Sequence, residues 1–269
     1  MIDRVCASPL VPIVLVASMM PGCDGNRGSA PAPAAATSTT ATTPATAPGA
    51  DNALTESERA EGWTLLFDGT TPGTHLRGFK REGFPEEWKV EEGCLVLRGP
   101  GGDLVTKEQF SDFDFRYDWQ VAPGGNSGVM WHVSEAFSYP WETGPEMQVL
   151  DDAAHADGKS RLTSAGACYA LYPAPEGVVK PAGEWNSAQI TVVGPKVTYR
   201  LNGTVTAEFD MSSTDWSDRV KGSKFASMPN FGTKSSGHIA IQDHGDVVRF
   251  KNLKVRVPGA APAASTATP

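Results

Sequence analysis

Between residues 54 and 257 apolar side chains recur at every second position in short runs, and turn dipeptides separate the runs. Phe113, Phe115, Tyr117 and Trp119 form one such run, with Asp114, Arg116, Asp118 and Gln120 between them. Successive side chains of an extended strand point to opposite faces, so this spacing predicts strands with one buried face rather than helices. Trp63, Leu65 and Phe67 precede Asp68-Gly69, Trp88 and Val90 precede Glu92-Gly93, and Leu95 and Leu97 follow it. Val129, Trp131 and Val133 alternate with Met130 and His132. Ile190 and Val192 lead to Gly194-Pro195; Val197, Tyr199 and Leu201 return to Asn202-Gly203, a strong two-residue hairpin signal, before Val205, Ala207 and Phe209. Val248 and Phe250 keep one phase of the last strand while Leu253, Val255 and Val257 keep the other, which predicts a β-bulge near Asn252. Helical signal is confined to single turns at 54–61, with Thr55 and Glu58 spaced as a capping box, and within 214–232. The fold class is therefore all-β, a two-sheet antiparallel sandwich or jelly roll.

The 269 residues divide by composition. Residues 1–23 read as a signal peptide: Arg4, an apolar stretch at 10–17, and small residues before Cys23. A cysteine at that place resembles a bacterial lipoprotein signal and implies membrane anchoring through a lipidated Cys23; plain secretion is the competing reading. Residues 24–57, rich in Ala, Thr and Pro, are expected to be a disordered tether, 58–258 the sandwich domain and 259–269 a disordered tail. A domain of this size buries roughly 70% of its unfolded surface and needs no staples. Cys94 and Cys168, far apart in sequence, are read as buried free thiols. The net charge of −8 excludes a nucleic-acid partner, and no apolar run is long enough for a membrane-spanning helix.

Four stretches are polar where a purely structural strand has no need to be. Gly144-Pro-Glu-Met-Gln-Val-Leu-Asp-Asp152 puts Glu146 and Gln148 on one strand face and Met147 and Val149 on the other. A carboxylate beside an amide suits a polyhydroxylated ligand or a proton transfer. Gly124-Gly-Asn126-Ser-Gly128 permits close backbone approach to a ligand. Lys180-Pro-Ala-Gly-Glu-Trp185-Asn186 offers an ammonium and either a sugar-stacking or a core tryptophan. Gly237-His-Ile-Ala-Ile-Gln-Asp-His-Gly245 sets His238, Gln242 and His244 near one face, and its two histidines with Asp243 suit proton transfer or metal ligation. No CxxC or HExxH zinc signature occurs.

These motifs, with Gly62-Trp-Thr-Leu-Leu-Phe-Asp-Gly69, Leu201-Asn-Gly203, Ser223-Lys-Phe225 and Phe250-Lys-Asn252, stand in an order that resembles the bacterial domain of unknown function 1080 family, also described as the 3-keto-disaccharide hydrolase family. At Trp131-His132 the sequence departs from many members, which carry Arg at the second position. The resemblance implies a concanavalin-like sandwich and a secreted enzyme acting on 3-keto-glycosides. A ketone at C3 acidifies the C2 hydrogen; a base removes it, the C1 substituent leaves by β-elimination, and water adds back. That chemistry needs a base, an acid for the leaving oxygen and an electrophile on the C3 oxygen. On this reading Glu146 or His244 moves the proton, and His132, Lys180 or a divalent cation polarises the ketone. Asn126, Gln148, Lys180, Trp185 and Gln242 contact substrate, and Asp243 and Asp151 are the metal ligands if a cation is used; no cofactor is otherwise called for. A non-catalytic carbohydrate-binding envelope module is the alternative. An ordinary retaining glycosidase is weakened, because Gln148 stands where such a strand wants a second acid.

Overall fold

The computed structural model describes residues 50–259, so the signal reading, most of the tether and the tail lie outside the described residues. Thirteen strands occur among the described residues: β1 Trp63–Leu65, β2 Leu76–Gly78, β3 Lys89–Glu91, β4 Cys94–Leu97, β5 Leu104–Thr106, β6 Phe113–Val121, β7 Asn126–Val133, β8 Glu146–Leu150, β9 Asn186–Val193, β10 Lys196–Leu201, β11 Thr204–Asp210, β12 His238–Ile241 and β13 Val248–Arg256. Two helices, α1 Glu56–Ala60 and α2 Thr214–Lys221, join them. One sheet runs β11-β10-β9-β6-β13-β4-β3, with β1 also on β13, and the second runs β2-β5-β12-β7-β8. Every strand pair is antiparallel, as the turn spacing predicts.

The core lies between the sheets. Phe113, Phe115, Tyr117 and Trp119 of β6 face it, and so do Val129, Trp131, Met147 and Val149 of β7 and β8. Trp131 donates from Nε1 to the Tyr199 hydroxyl at 2.7 Å, joining the layers through a buried polar contact. Cys94 and Cys168 are free and buried. Alternation then fixes the remaining geometry: Asn126, Gly128 and Met130 of β7, and Glu146 and Gln148 of β8, occupy the outer face of the five-stranded sheet.

Local chemistry explains the turns. Asn202 and Gly203 take φ of 50° and 82°, the doubly positive geometry of a two-residue hairpin. The predicted bulge is present: Asn252 has φ of 55°, and the β6–β13 register shifts between Lys251 and Lys254. The tether ends earlier than composition suggests. Asn52 N donates to Asn252 Oδ1 at 2.6 Å and Asn252 N donates to Asn52 Oδ1 at 2.9 Å. Asn52 Nδ2 also donates to Gly93 O at 2.7 Å, holding the Glu92-Gly93 turn. A composition reading misses this, because a single asparagine pair fixes the segment without apolar burial. Helix α1 carries the capping box read from Thr55 and Glu58.

Strands β7 and β8 are buried on both faces, which simple alternation does not foretell. Excursions after β8 and β11 cover the outer face. Gln148 N donates to Ala167 O and Tyr169 N to Glu146 O, so the first excursion also pairs with the β8 edge and removes an exposed strand edge.

Candidate active site

Glu146 lies opposite Met130 and Gln148 opposite Gly128 across the β7–β8 ladder. Gln242, just past β12, joins them by donating its backbone N–H to Gly128 O at 2.8 Å. Asn126, Glu146, Gln148 and Gln242 form the floor of a pocket of about 390 Å³, whose walls include Trp141, Asp157, Tyr169, Lys224 and His244.

The Glu146 carboxyl group occupies the space that a side chain at position 128 would fill. A Cβ on Gly128 would stand 1.9 Å from Glu146 Oε1 and 2.7 Å from its Cδ. Gly128 is thus required by close approach of a side chain, not by backbone torsion. Glu146 is 8% exposed, and among the described residues no donor hydrogen-bonds to its carboxylate. Burial pushes its pKa up to about 7; the Lys224 ammonium opposes the rise, and the Asp103 and Asp157 carboxylates add to it. A carboxyl group poised near neutrality is suited to general-base work.

The walls are ordered around this group. Tyr169 donates its hydroxyl to Asp157 Oδ2 at 3.1 Å, and Lys224 Nζ lies 4.1 Å from the Tyr169 ring centroid. Burial lowers the Lys224 pKa, while Glu146 and Asp157 pull it back up. His244 stands at the rim with Nδ1 3.6 Å from Asp246 Oδ2, and its ring meets the His155 ring edge-on at 6.2 Å. Asp246 Oδ2 in turn accepts the Asn126 backbone N–H at 3.1 Å. The Asn126 side-chain Oδ1 is buried without a hydrogen-bond partner. Such an atom carries a desolvation cost that a ligand hydroxyl relieves. Gln148 is less free: its Nε2 donates to Thr163 O and its Oε1 accepts from Val149 N.

Of the residues singled out by sequence, Glu146, Gln148, Asn126, Gln242 and His244 come together in this pocket. The others do not. His132 points away, with Nδ1 3.0 Å from Lys234 O and Nε2 2.8 Å from Ser111 O, and its φ of 52° marks a bulge in β7. Burial holds that imidazole below its ordinary pKa. Lys180 donates to Trp185 O at 2.9 Å, outside the pocket, and Trp185 stacks under Lys251 at 4.5 Å instead of entering either the core or the site. Asp243 Oδ2 accepts from Gly101 N and Gly102 N at 2.6 and 2.7 Å, and its Oδ1 accepts from Gly245 N, so backbone donors surround the proposed ligand. Asp151 is likewise engaged by Gly124 N and Ala153 N. His238 bonds Thr106 O at 2.7 Å and stays structural. Among the described residues no group of three His, Cys, Asp or Glu side chains has the arrangement to hold a metal ion, and the carboxylate oxygens of Asp243 and Asp151 are taken up by backbone donors, so no step is routed through a cation.

Sequence reasoning passed over Lys224, Tyr169, Asp157, His155 and Trp141. All five sit in the covering excursions or the turn before β8, where no periodicity reports on the fold; Lys224 alone also lies inside a recognised motif, Ser223-Lys-Phe225.

The family described as the 3-keto-alpha-glucoside-1,2-lyase-like domain matches residues 62–256. A 3-keto-disaccharide hydrolase of Bacteroides thetaiotaomicron is 32% identical over 230 residues, covering 74% of this chain and 79% of that one. A crystal structure of a candidate glycosyl hydrolase from Parabacteroides distasonis shares 37% identity and a TM-score of 0.72, covering 77% of this chain and 99% of that one. A second such structure from the same organism, at 24% identity and a TM-score of 0.57 over 72% of this chain and 98% of that one, shares the fold.

Proposed function

The chain belongs to the 3-keto-alpha-glucoside-1,2-lyase-like family, and on that premise we propose that it cleaves 3-keto-glycosides with Glu146 as the base. The observation that carries this reading is a buried carboxyl group with a pKa near 7, unpartnered by protein donors and facing a polar pocket. A second carboxylate placed for a double-displacement glycosidase is not needed: the ketone makes C2–H acidic enough for one base.

Glu146 takes the C2 proton, and the C2–H electrons pass into an enolate on the C3 oxygen. Lys224, the cation of the pocket wall, stabilises that oxygen; Tyr169 is occupied by Asp157. The enolate re-forms the ketone and expels the C1 oxygen, which takes a proton from His244, oriented by Asp246. Water adding to C1 with a proton returned to C2 completes net hydrolysis; release before water adds completes a lyase reaction. Asn126 Oδ1 and the Gln242 amide hold sugar hydroxyls.

The test is incubation of the purified protein with a 3-keto-glucoside and with the parent glucoside. Aglycone release from the keto compound alone supports the reading. Binding of plain glycan with turnover of neither compound makes the protein a carbohydrate-binding module instead.

Lys224→Met is expected to move the acidic limb of the kcat/KM profile to higher pH. Lys224 depresses the Glu146 pKa, so its removal leaves burial less opposed. An unmoved limb with a lower plateau would limit Lys224 to the C3 oxygen. The chain is further proposed to act in the cell envelope, tethered by lipid on Cys23. Cys23→Ser should move the protein from the membrane to the soluble fraction, and unchanged fractionation would remove the anchor from the account.

A further inference from the structure

The Lys224 ammonium shares its pocket with two carboxylates, Glu146 on β8 and Asp157 in the excursion after it, and both favour its charged form. Proton abstraction disturbs this balance. Once Glu146 has taken the C2 proton it is neutral, and Asp157 is the carboxylate left to Lys224. That is also the moment when negative charge reaches the C3 oxygen and the cation is needed most.

Asp157 reaches Lys224 through a ring. Tyr169 donates its hydroxyl to Asp157 Oδ2 at 3.1 Å, and Lys224 Nζ sits 4.1 Å from the centre of the same ring. A phenol that donates to a carboxylate is polarised by it, and its ring face attracts a cation more strongly. Burial and the Asp157 carboxylate push the Tyr169 hydroxyl up to about 12, so it stays a phenol in neutral solution.

The parts of this relay are fixed in place. Asp157 N donates to His155 Nδ1 at 3.1 Å, and Asp157 O accepts from Thr163 Oγ1 at 2.6 Å. A Cβ at Gly158 would lie 2.2 Å from Asp152 O, so the turn that carries Asp157 is seated on the chain just beyond β8. Tyr169 N donates to Glu146 O at 3.0 Å, which fastens the phenol to the strand of the base. The carboxylate, the ring and the base are therefore preorganised relative to one another.

Resting on the 3-keto-glycoside reading, we propose that Asp157 is a positioning residue: through the Tyr169 ring it holds the Lys224 ammonium on the pocket wall and remains its counter-charge when Glu146 is neutralised. The charged and titratable groups around Lys224 are Glu146 from β8, Asp157 and Tyr169 from the first excursion, and His244 from the rim. Around Glu146 they are Lys224, Asp103 and Asp157.

The experiment compares wild type with Asp157→Asn and Asp157→Glu. Asparagine keeps an acceptor for the Tyr169 hydroxyl, so the turn should fold without the charge. Carbon-13 reductive methylation, with Lys224→Arg to identify the resonance, reads the titration of Lys224 by NMR in the absence of substrate. Asp157→Asn should lower the Lys224 pKa further, and Asp157→Glu should restore it. On a 3-keto-glucoside Asp157→Asn should lower kcat about tenfold with little change in KM, and Asp157→Glu should recover most of the loss. The acidic limb of kcat/KM should move to lower pH, because Asp157 raises the Glu146 pKa and its removal relieves that. This is the opposite direction to Lys224→Met. An unmoved Lys224 titration, or an unmoved acidic limb with a lower plateau, would overturn the proposal and leave Asp157 as a tie for the turn. If no keto compound reacts but Asp157→Asn still shifts the Lys224 titration, the catalytic reading fails and the hold of Asp157 on the ammonium stands. If the keto compound is cleaved and the titration does not shift, the reading stands and this proposal fails.

Discussion

Glu146→Gln is expected to lower kcat/KM on a 3-keto-glycoside by about 10²–10⁴-fold and, at the same time, to make the protein more stable in alkali. The first effect follows from removing the base while keeping the shape of the side chain. The second follows from linkage. The folded-state pKa of Glu146 is about 7, against an ordinary value of 4.5, and burial is the main cause. Below the ordinary value the group is protonated both folded and unfolded, and burial costs nothing through this group. As pH rises through 7 the folded protein must hold a desolvated carboxylate that the unfolded chain solvates freely. That difference is worth roughly 3 kcal/mol, and the glutamine variant escapes it. The variant should therefore melt later than wild type at pH 9 and together with it near pH 4. In the active protein the acidic limb of kcat/KM should fall near pH 7. A variant that loses activity without gaining alkaline stability would mean that Glu146 is solvated and that the pocket is not the low-dielectric site described.

Gly128→Ala carries the second large effect. Its Cβ would fall 1.9 Å from Glu146 Oε1, within the carboxylate itself. The backbone tolerates alanine, so the strand should fold; the carboxyl group must move. A displacement of about 1 Å at a reacting group costs on the order of 10²-fold in rate, and kcat/KM should fall by at least that much. The change should not add to Glu146→Gln, because both act through one group. A Gly128→Ala enzyme with wild-type kinetics would place the working carboxylate elsewhere.

The sandwich was legible because its signals are local. Period-two alternation, the Asn202-Gly203 turn and the phase slip at Asn252 each determine backbone within a few residues, and all three appear where expected. The floor of the site was legible for the same reason: Glu146 and Gln148 share a face by alternation alone, and Asn126 and Gln242 sit where their strands begin and end. The walls were not. Lys224 and Tyr169 reach the pocket from irregular excursions whose course depends on long-range packing, such as Tyr169 N to Glu146 O. The misplaced residues share a cause. His132, Lys180 and Asp243 carry reactive groups, but each is engaged by backbone partners that no spacing rule reveals: two carbonyl oxygens, the Trp185 carbonyl, and the Gly101 and Gly102 amides. A functional side chain differs from a structural one in what remains unpaired, as Glu146 and Asn126 Oδ1 do, and that is a property of the folded state.

The central claim is that cleavage begins with loss of the C2 proton to Glu146. Turnover of a 3-keto-glucoside in deuterium oxide, sampled at early times by mass spectrometry, tests it directly. The account predicts a released 3-keto sugar carrying one solvent deuterium at C2, or the C1–C2 unsaturated ketone from which that proton has been lost, and neither product from Glu146→Gln. Aglycone release with the original C2 hydrogen retained would contradict it, because the bond at C1 would then have broken without proton abstraction.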